Sequence, residues 1–447
     1  MKEYEYCSTE AFEPDWTRFP GWRDVDTSQW RSARWQRANT VFSVKRLHEV
    51  LGGLLSDGIY REITEDQELN ATMPLRITPH MLNTMVPDLA PHSPEFRERF
   101  RTDPVRRYML VLSSDRVKER MSHPMAQRDS LHEAKMWVVE GMTHRYPTKV
   151  LAELTSTCPQ YCGHCTRMDL VGASTQQVEK RPFAERSGLR LTRMLQELRS
   201  NPRIRDVVVS GGDVANVPWP RLEQFVADCI AIDSVKDIRL ASKSLVGMPQ
   251  HWLQPQVLRG VERLARLARE RHVSLALHTH ANAAQSVSRL VAEASHALLN
   301  AGLRDVRNQA VLLAGVNDSR DAVLDLSFGL LDRAGITPYY MYLCDMIPAA
   351  EHWRTSLRQA VDLQDRIMGY LPGFATPRIV CDVPLLGKRW VHQYRRYDET
   401  TGISSWAGER GDEFRYYDPL HLLPEEGRAW WRQKATGAVP ALAGTAG

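Results

Sequence analysis

The chain predicts an α/β fold built on a parallel sheet, and two observations carry that prediction. Between about residues 149 and 381, short β-rich apolar runs alternate with longer amphipathic stretches. The residues best able to do chemistry fall at the ends of those runs, where α/β folds place their sites. Such alternation builds βαβ units whose strands run parallel. Five or six consecutive units suggest a complete or partial barrel, although an open doubly wound sheet shares the local pattern.

Seven strands are expected, over 149–155, 205–209, 237–241, 273–278, 306–313, 338–343 and 378–381, with helices over 190–199, 257–271 and 321–334 between them. The segment 259–272 is rich in arginine, but leucines and valines at helical spacing give it a buried face, so its arginines read as solvated. Residues 1–145 read as a mainly helical region, with Trp16, Trp22, Trp30 and Trp35 and a turn cluster over 87–94. Residues 146–388 make the α/β unit. Residues 389–447 form an extension rich in aromatic and charged side chains, whose last stretch, 438–447, is expected to be disordered.

Composition narrows the classes. At 447 residues with 43% hydrophobic and 25% charged content, the chain reads as a soluble globular protein of two or three domains, or one large one with extensions. A net charge of +4 is too small to suggest nucleic acid as a partner. No run of apolar residues is long enough to predict a membrane helix, and the acidic, aromatic start lacks the basic and apolar parts of a signal peptide. A cytoplasmic location is therefore expected.

The seven cysteines are Cys7, Cys158, Cys162, Cys165, Cys229, Cys344 and Cys381. An odd count, mostly scattered, argues against a disulfide framework. Cys229, Cys344 and Cys381 read as packed thiols. Cys158, Cys162 and Cys165 instead form a C-x3-C-x2-C run directly after a predicted strand. Thiolates this close serve zinc or an iron–sulfur cluster. Structural zinc wants four ligands, and His164, between two cysteines, would have to fold back sharply to be the fourth. Three thiolates on a four-iron cluster leave one iron open to a small molecule, so a catalytic [4Fe–4S] site is the expectation and zinc the alternative. After the next strand, Ser210-Gly211-Gly212-Asp213 lets the backbone approach a ligand closely, or makes only a tight turn.

The cysteine spacing resembles the radical S-adenosylmethionine (SAM) superfamily. Further motifs narrow it. Thr143-His144-Arg145-Tyr146-Pro147, Cys165-Thr166-Arg167, the segment from Asn308-Gln309 to Asn317-Asp318, the segment from Pro338-Tyr339-Tyr340 to Cys344-Asp345, Glu351-His352-Trp353-Arg354-Thr355 and the segment from Asp382 to Gly387-Lys388 look like the lysine 2,3-aminomutase family, in the same order, from about residue 75 to 390.

That resemblance implies a radical SAM partial (β/α)6 TIM-like barrel. It implies an isomerase in which Cys158, Cys162 and Cys165 hold the cluster and an adenosyl radical derived from SAM removes a β-hydrogen. The amino group then moves from the α- to the β-carbon with the help of pyridoxal 5′-phosphate (PLP). Ser210, Gly211, Gly212, Asp213, Ser242, His280 and Gln309 match SAM contacts. Lys388 matches the lysine that carries PLP, and Arg145, Tyr146 and Lys149 match its phosphate site. Arg167 matches the clamp on the substrate carboxylate, and Asp345 and Asp382 match the pair that grips a distal ammonium. Two converging carboxylates call for a cation between them, so the substrate is expected to be a basic amino acid, lysine ahead of arginine. The resemblance further implies an electron donor such as flavodoxin or ferredoxin, and an oligomer of identical chains.

Two departures stand out. Lys149 replaces an arginine of the family, keeping the charge and losing the fork. The family's run of four glycines before the PLP lysine is here Leu385-Leu386-Gly387, one residue shorter. That loop leaves open a radical SAM lyase or dehydratase that works without PLP. A lysine amine must be neutral to attack an aldehyde, so a site lowering the pKa of Lys388 is expected.

Overall fold

All seven expected strands form, joined by others the periodicity did not announce. The computed structural model describes residues 3–8, 10–90, 93–117 and 122–435. The segment 438–447, expected to be disordered, and positions 91 and 92 of the expected turn cluster lie outside the described residues.

The main sheet has ten strands: β1 (Trp137–Val139), β2 (Met142–Tyr146), β3 (Lys149–Glu153), β4 (Asp206–Ser210), β5 (Asp237–Ala241), β6 (Ser274–Thr279), β7 (Asp305–Leu312), β8 (Thr337–Leu343), β9 (Arg378–Val383) and β10 (Gly387–Trp390). From β3 to β9 each strand pairs in parallel with the next, while β1, β2 and β10 add antiparallel edges. The strand order climbs steadily along the chain. A doubly wound sheet reverses at a switch point, so that alternative falls away.

Helices Ser187–Ser200, Trp219–Ile230, Pro255–Glu270, Arg289–Asn300, Arg320–Phe328 and Leu357–Ile367 occupy the crossovers between the parallel strands. In Pro255–Glu270, Val257, Val261, Leu264 and Ala268 are buried while Arg259, Arg263, Arg266 and Arg269 face water, as their 3.6-residue spacing requires. The expected helix 321–334 stops at Phe328 and widens into a π-turn over Gly329–Arg333. Leu357–Ile367 starts at a capping box in which Ser356 and Gln359 satisfy each other's backbone N–H groups.

The N-terminal region is a set of short helices, several capped by side chains such as Asp26, Ser43, Ser56 and Asp103. Trp16 stacks on Trp30 at 4.9 Å, and Trp22 and Trp30 are fully buried. This region shares one continuous hydrophobic core with the sheet. The expected boundary at 145 cuts through β2, and that at 388 through β10.

After β10 the chain builds a second, antiparallel sheet of β11 (Tyr394–Asp398), β12 (Ile403–Ala407) and β13 (Glu413–Tyr417). A buried network ties it to the loops after β8. Arg354 pairs with Glu351 at 2.7 Å and donates to the Tyr417 carbonyl, and the Tyr416 hydroxyl donates to the Cys344 carbonyl at 3.3 Å. Among the described residues no helix is long and apolar enough to cross a membrane.

Candidate active site

The C-terminal ends of the parallel strands carry the cysteine loop after β3, the glycine loop after β4, Ser242 after β5, His280 after β6 and Asp345 after β8. All seven cysteines are free, and Cys229, Cys344 and Cys381 are buried as expected. Burial pushes the Cys158 thiol well above its ordinary pKa, with Asp213 and the other two cysteines adding to the rise; it raises that of Cys162 against the opposing charge of Lys243, and pushes Cys165 up to about 11, with Cys162 adding to the rise. Three such thiols become thiolates only when a metal group supplies positive charge, so this donor set suits a soft metal cluster. Among the described residues no three His, Cys, Asp or Glu side chains close on a point that would hold a single ion. His164 packs against other rings, its Nε2 3.4 Å from that of His280 and its ring against Tyr108 and Trp353. The zinc alternative thus finds no fourth ligand in His164.

The loop is shaped by close packing. A Cβ on Gly163 would lie 2.3 Å from Trp353. The two glycines after β4 prove to serve the cysteine loop: a Cβ on Gly211 or Gly212 would lie 2.4 Å from the carbonyl of Thr155 or Thr157 respectively. The Gly212 and Asp213 N–H groups donate to those same carbonyls. Asp213 is buried and accepts from the Ser242 hydroxyl at 2.6 Å and from the Ser244 hydroxyl at 2.9 Å, so it ties β4 to β5 and its carboxylate is engaged within the protein. His280 faces His164, and the Gln309 side chain makes no hydrogen bond among the described residues.

Lys388 lies in β10 directly across from Asp382 in β9, with its Nζ 3.2 Å from the carboxylate. Arg145 pairs with the other Asp382 oxygen at 2.9 Å. The Tyr146 hydroxyl accepts from the Lys388 N–H at 3.1 Å, and a Cβ on Gly387 would lie 2.8 Å from that hydroxyl. Lys149 sits 5.1 Å from the Tyr146 ring centre and pairs loosely with Asp206 at 3.8 Å. Lys388, Arg145, Tyr146 and Lys149 therefore do converge, and the buried Arg145 Nε has no hydrogen-bond partner. One lysine among two further cations and a phenol fits a phosphate-bearing aldehyde.

One expectation needs correcting. Burial would lower the Lys388 pKa, but Tyr342, Asp382 and Tyr146 outweigh it and hold the ammonium protonated. Asp382 is likewise engaged, by Arg145 and Lys388. Asp345 differs: half-buried, it has no ion pair or hydrogen bond to its carboxylate among the described residues. Burial and the nearby Asp382 push its pKa up to about 8.

Arg167 donates through Nη1 to the Ser210 hydroxyl at 3.0 Å and the Gly211 carbonyl at 2.7 Å. Its Nε lies 3.3 Å from Glu153 and 3.6 Å from Glu133. The sequence reading missed both acids. Glu153 left a signal, a carboxylate inside the otherwise apolar run Val150-Leu151-Ala152-Glu153-Leu154. Glu133, on a short 3-10 turn before β1, left none. Lys243 was missed too. It lies beside Cys162 and 4.9 Å from the Tyr108 ring centre.

No family model matches the chain. Among curated proteins it is 30% identical over 374 residues to L-lysine 2,3-aminomutase of Bacillus subtilis (strain 168), covering 83% of this chain and 70% of that one. It is 28% identical over 372 residues to L-lysine 2,3-aminomutase of Clostridium subterminale, covering 82% and 79%. Glutamate 2,3-aminomutase of Clostridioides difficile is 24% identical over 355 residues, covering 79% and 75%. Among solved structures, a radical SAM methyltransferase from Sphaerobacter thermophilus covers 55% of this chain and 69% of its own, at 16% identity and a TM-score of 0.36, too low to speak for a shared fold. Sequence and site together define an isomerase, a radical SAM 2,3-aminomutase that moves an amino group between adjacent carbons of a small amino acid. The chain belongs to the lysine 2,3-aminomutase family, as its motifs indicated, and that membership implies a [4Fe–4S] cluster and SAM.

Proposed function

We propose that this enzyme is PLP-dependent and converts a basic L-α-amino acid, L-lysine ahead of L-arginine, to its β-amino acid. The observation that carries the reading is the uncommitted carboxylate of Asp345 beside the Lys388–Asp382–Arg145 cluster. A half-buried acid with no partner calls for a cation from outside, and a substrate ammonium or guanidinium supplies one.

Cys158, Cys162 and Cys165 would hold the cluster, with Ser210, Gly211, Gly212, Asp213, Ser242, His280 and Gln309 shaping the SAM pocket. Lys388 would carry PLP, with Arg145, Tyr146 and Lys149 toward its phosphate. Bound there, these groups supply a hydrogen-abstracting radical and an electron sink for the migrating nitrogen. The chain's own residues orient and neutralise: Arg167 receives the substrate carboxylate and Asp345 with Asp382 the distal cation, Asp382 also keeping Lys388 and Arg145 in place. The same reading takes the parallel strands as a partial TIM-like barrel, divided at 1–145, 146–388 and 389–447 as the motifs suggest. It takes flavodoxin or ferredoxin as the electron donor, and an oligomer of identical chains.

A second reading, a radical SAM lyase without PLP, rests on Leu385. It holds φ = 66° in the turn before Lys388, where the family places glycines.

The test is anaerobic incubation of the reconstituted protein with SAM, PLP, a strong reductant and either lysine or arginine. β-Lysine is the expected product, and β-arginine would move the substrate to the alternative. SAM cleavage with no β-amino acid from either would refute the aminomutase assignment for basic substrates.

A further inference from the structure

The site holds more acid than the proposed reaction uses. Glu153, at the end of β3, is only 2% exposed, and its Oε1 is buried without a hydrogen-bond partner 3.3 Å from the Arg167 Nε. Glu133 approaches the same nitrogen. The guanidinium that is to receive a substrate carboxylate therefore already faces two carboxylates. A third would bring like charges into a space with little water, where they cannot all stay ionised.

Glu153 sits on a fixed, buried stretch of backbone. Its backbone N–H donates to the Gly141 carbonyl at 2.8 Å, and its own carbonyl accepts from the buried Arg190. It can be neutralised where it stands. The charged groups facing it are Arg167 from the cysteine loop, Glu133 and Asp129 from the segment before β1, and Arg190 from helix Ser187–Ser200. Burial, opposed by Arg167 and aided by Glu133, leaves its pKa at about 7.

Building on the proposed substrate, we infer that Glu153 is a positioning residue that releases Arg167 to the substrate carboxylate by accepting one proton from solvent as the substrate binds. The balance is simple. One proton moves from water or buffer to Glu153, one ion pair to Arg167 is exchanged for another, and no other bond changes. At the opposite end Asp345, with a pKa of about 8, gives up a proton as the substrate cation arrives.

The signs follow. Below pH about 7 Glu153 is already protonated, and only the release from Asp345 counts, so affinity for lysine rises by up to tenfold per pH unit. Between about 7 and 8 uptake and release cancel. Above about 8 only the uptake by Glu153 remains, and affinity falls.

The test titrates the anaerobic holoenzyme with SAM and PLP but no reductant, by calorimetry in buffers of different ionisation enthalpy. L-Lysine is compared with 1,5-diaminopentane, which has no carboxylate. At pH 7 lysine should draw in about half a proton more than the diamine. Glu153→Gln should abolish that excess and the loss of affinity above pH 8. If this variant fails to fold, the wild-type infrared difference spectrum still decides, since lysine should add a protonated-carboxyl stretch that the diamine does not. Lysine binding with no excess uptake, or with an excess unchanged in Glu153→Gln, overturns the role of Glu153 alone. If neither ligand binds, the basic-substrate reading falls and takes this inference with it.

Discussion

Gly163 offers a sharp test of how the cysteine loop is held. A methyl group there would sit 2.3 Å from the Trp353 Cη2 and 3.0 Å from its Cζ2, whereas carbon atoms rest about 3.5–4.0 Å apart. Something must therefore move by about 1.2 Å. Trp353 is poorly placed to yield. It is 2% exposed, its Nε1 donates to the Arg107 carbonyl at 3.0 Å, and its ring lies against His164 and His352. The strain falls instead on the loop between Cys162 and Cys165. Overpacking of this kind costs about 1–3 kcal/mol, which as lost cluster affinity is roughly 5- to 150-fold. Gly163→Ala should thus retain its fold but give up iron readily to a chelator under anaerobic conditions. Trp353→Phe removes the clashing part of the ring, so the double variant should recover much of the lost retention. Iron retention in Gly163→Ala equal to wild type, or a double variant no better than the single one, would refute the claim that this contact sets the loop.

Asp345→Asn should raise the apparent substrate constant for lysine by about 30-fold or more, in line with losing a desolvated charge pair. It should also remove the rise in affinity with pH below about 7, and a constant within twofold of wild type would remove the basis of the substrate assignment. Lys388→Ala should keep its iron while losing the absorbance of covalently attached PLP; an unchanged absorbance would mean that another lysine holds it. Leu385→Gly relieves a left-handed backbone at an exposed side chain and should stabilise by up to about 1 kcal/mol, read as a higher melting temperature. Arg354→Met strands the buried Glu351 and should cost about 3–5 kcal/mol, part of which the further change Glu351→Gln should restore.

Much of this was legible in the sequence because it rests on local signals. The strands β3 to β9 announce themselves as apolar runs between amphipathic stretches. The three cysteines are informative by spacing alone. What escaped depends on pairing at a distance. β1 and β10 are short edge strands and β2 joins β1 to the parallel strands, so their only cue is the partner they find, and β11 to β13 are polar enough to read as loop. The motifs single out residues that do meet around Lys388, but not their internal commitments. That Asp382 is shared between Arg145 and Lys388, or that Asp213 ties β4 to β5, follows from side chains meeting across strands. Glu133 has no signature at all, since its place beside Arg167 is set by the path of the chain into β1.

The network around Arg354 carries a consequence for how such an enzyme can be altered. The loop that presents Asp345 begins at Cys344, whose carbonyl is held by Tyr416, and continues to Leu357, whose N–H is held by Asp418 at 2.8 Å. Both anchors come from the end of the second sheet, some sixty to seventy residues further along the chain. Trimming the protein back to its ten-stranded sheet would therefore discard the frame of the loop that carries Asp345. If Asp345 receives the substrate as proposed, selection acting on Tyr416 or Asp418 would retune which amino acid is accepted without altering any residue that touches it.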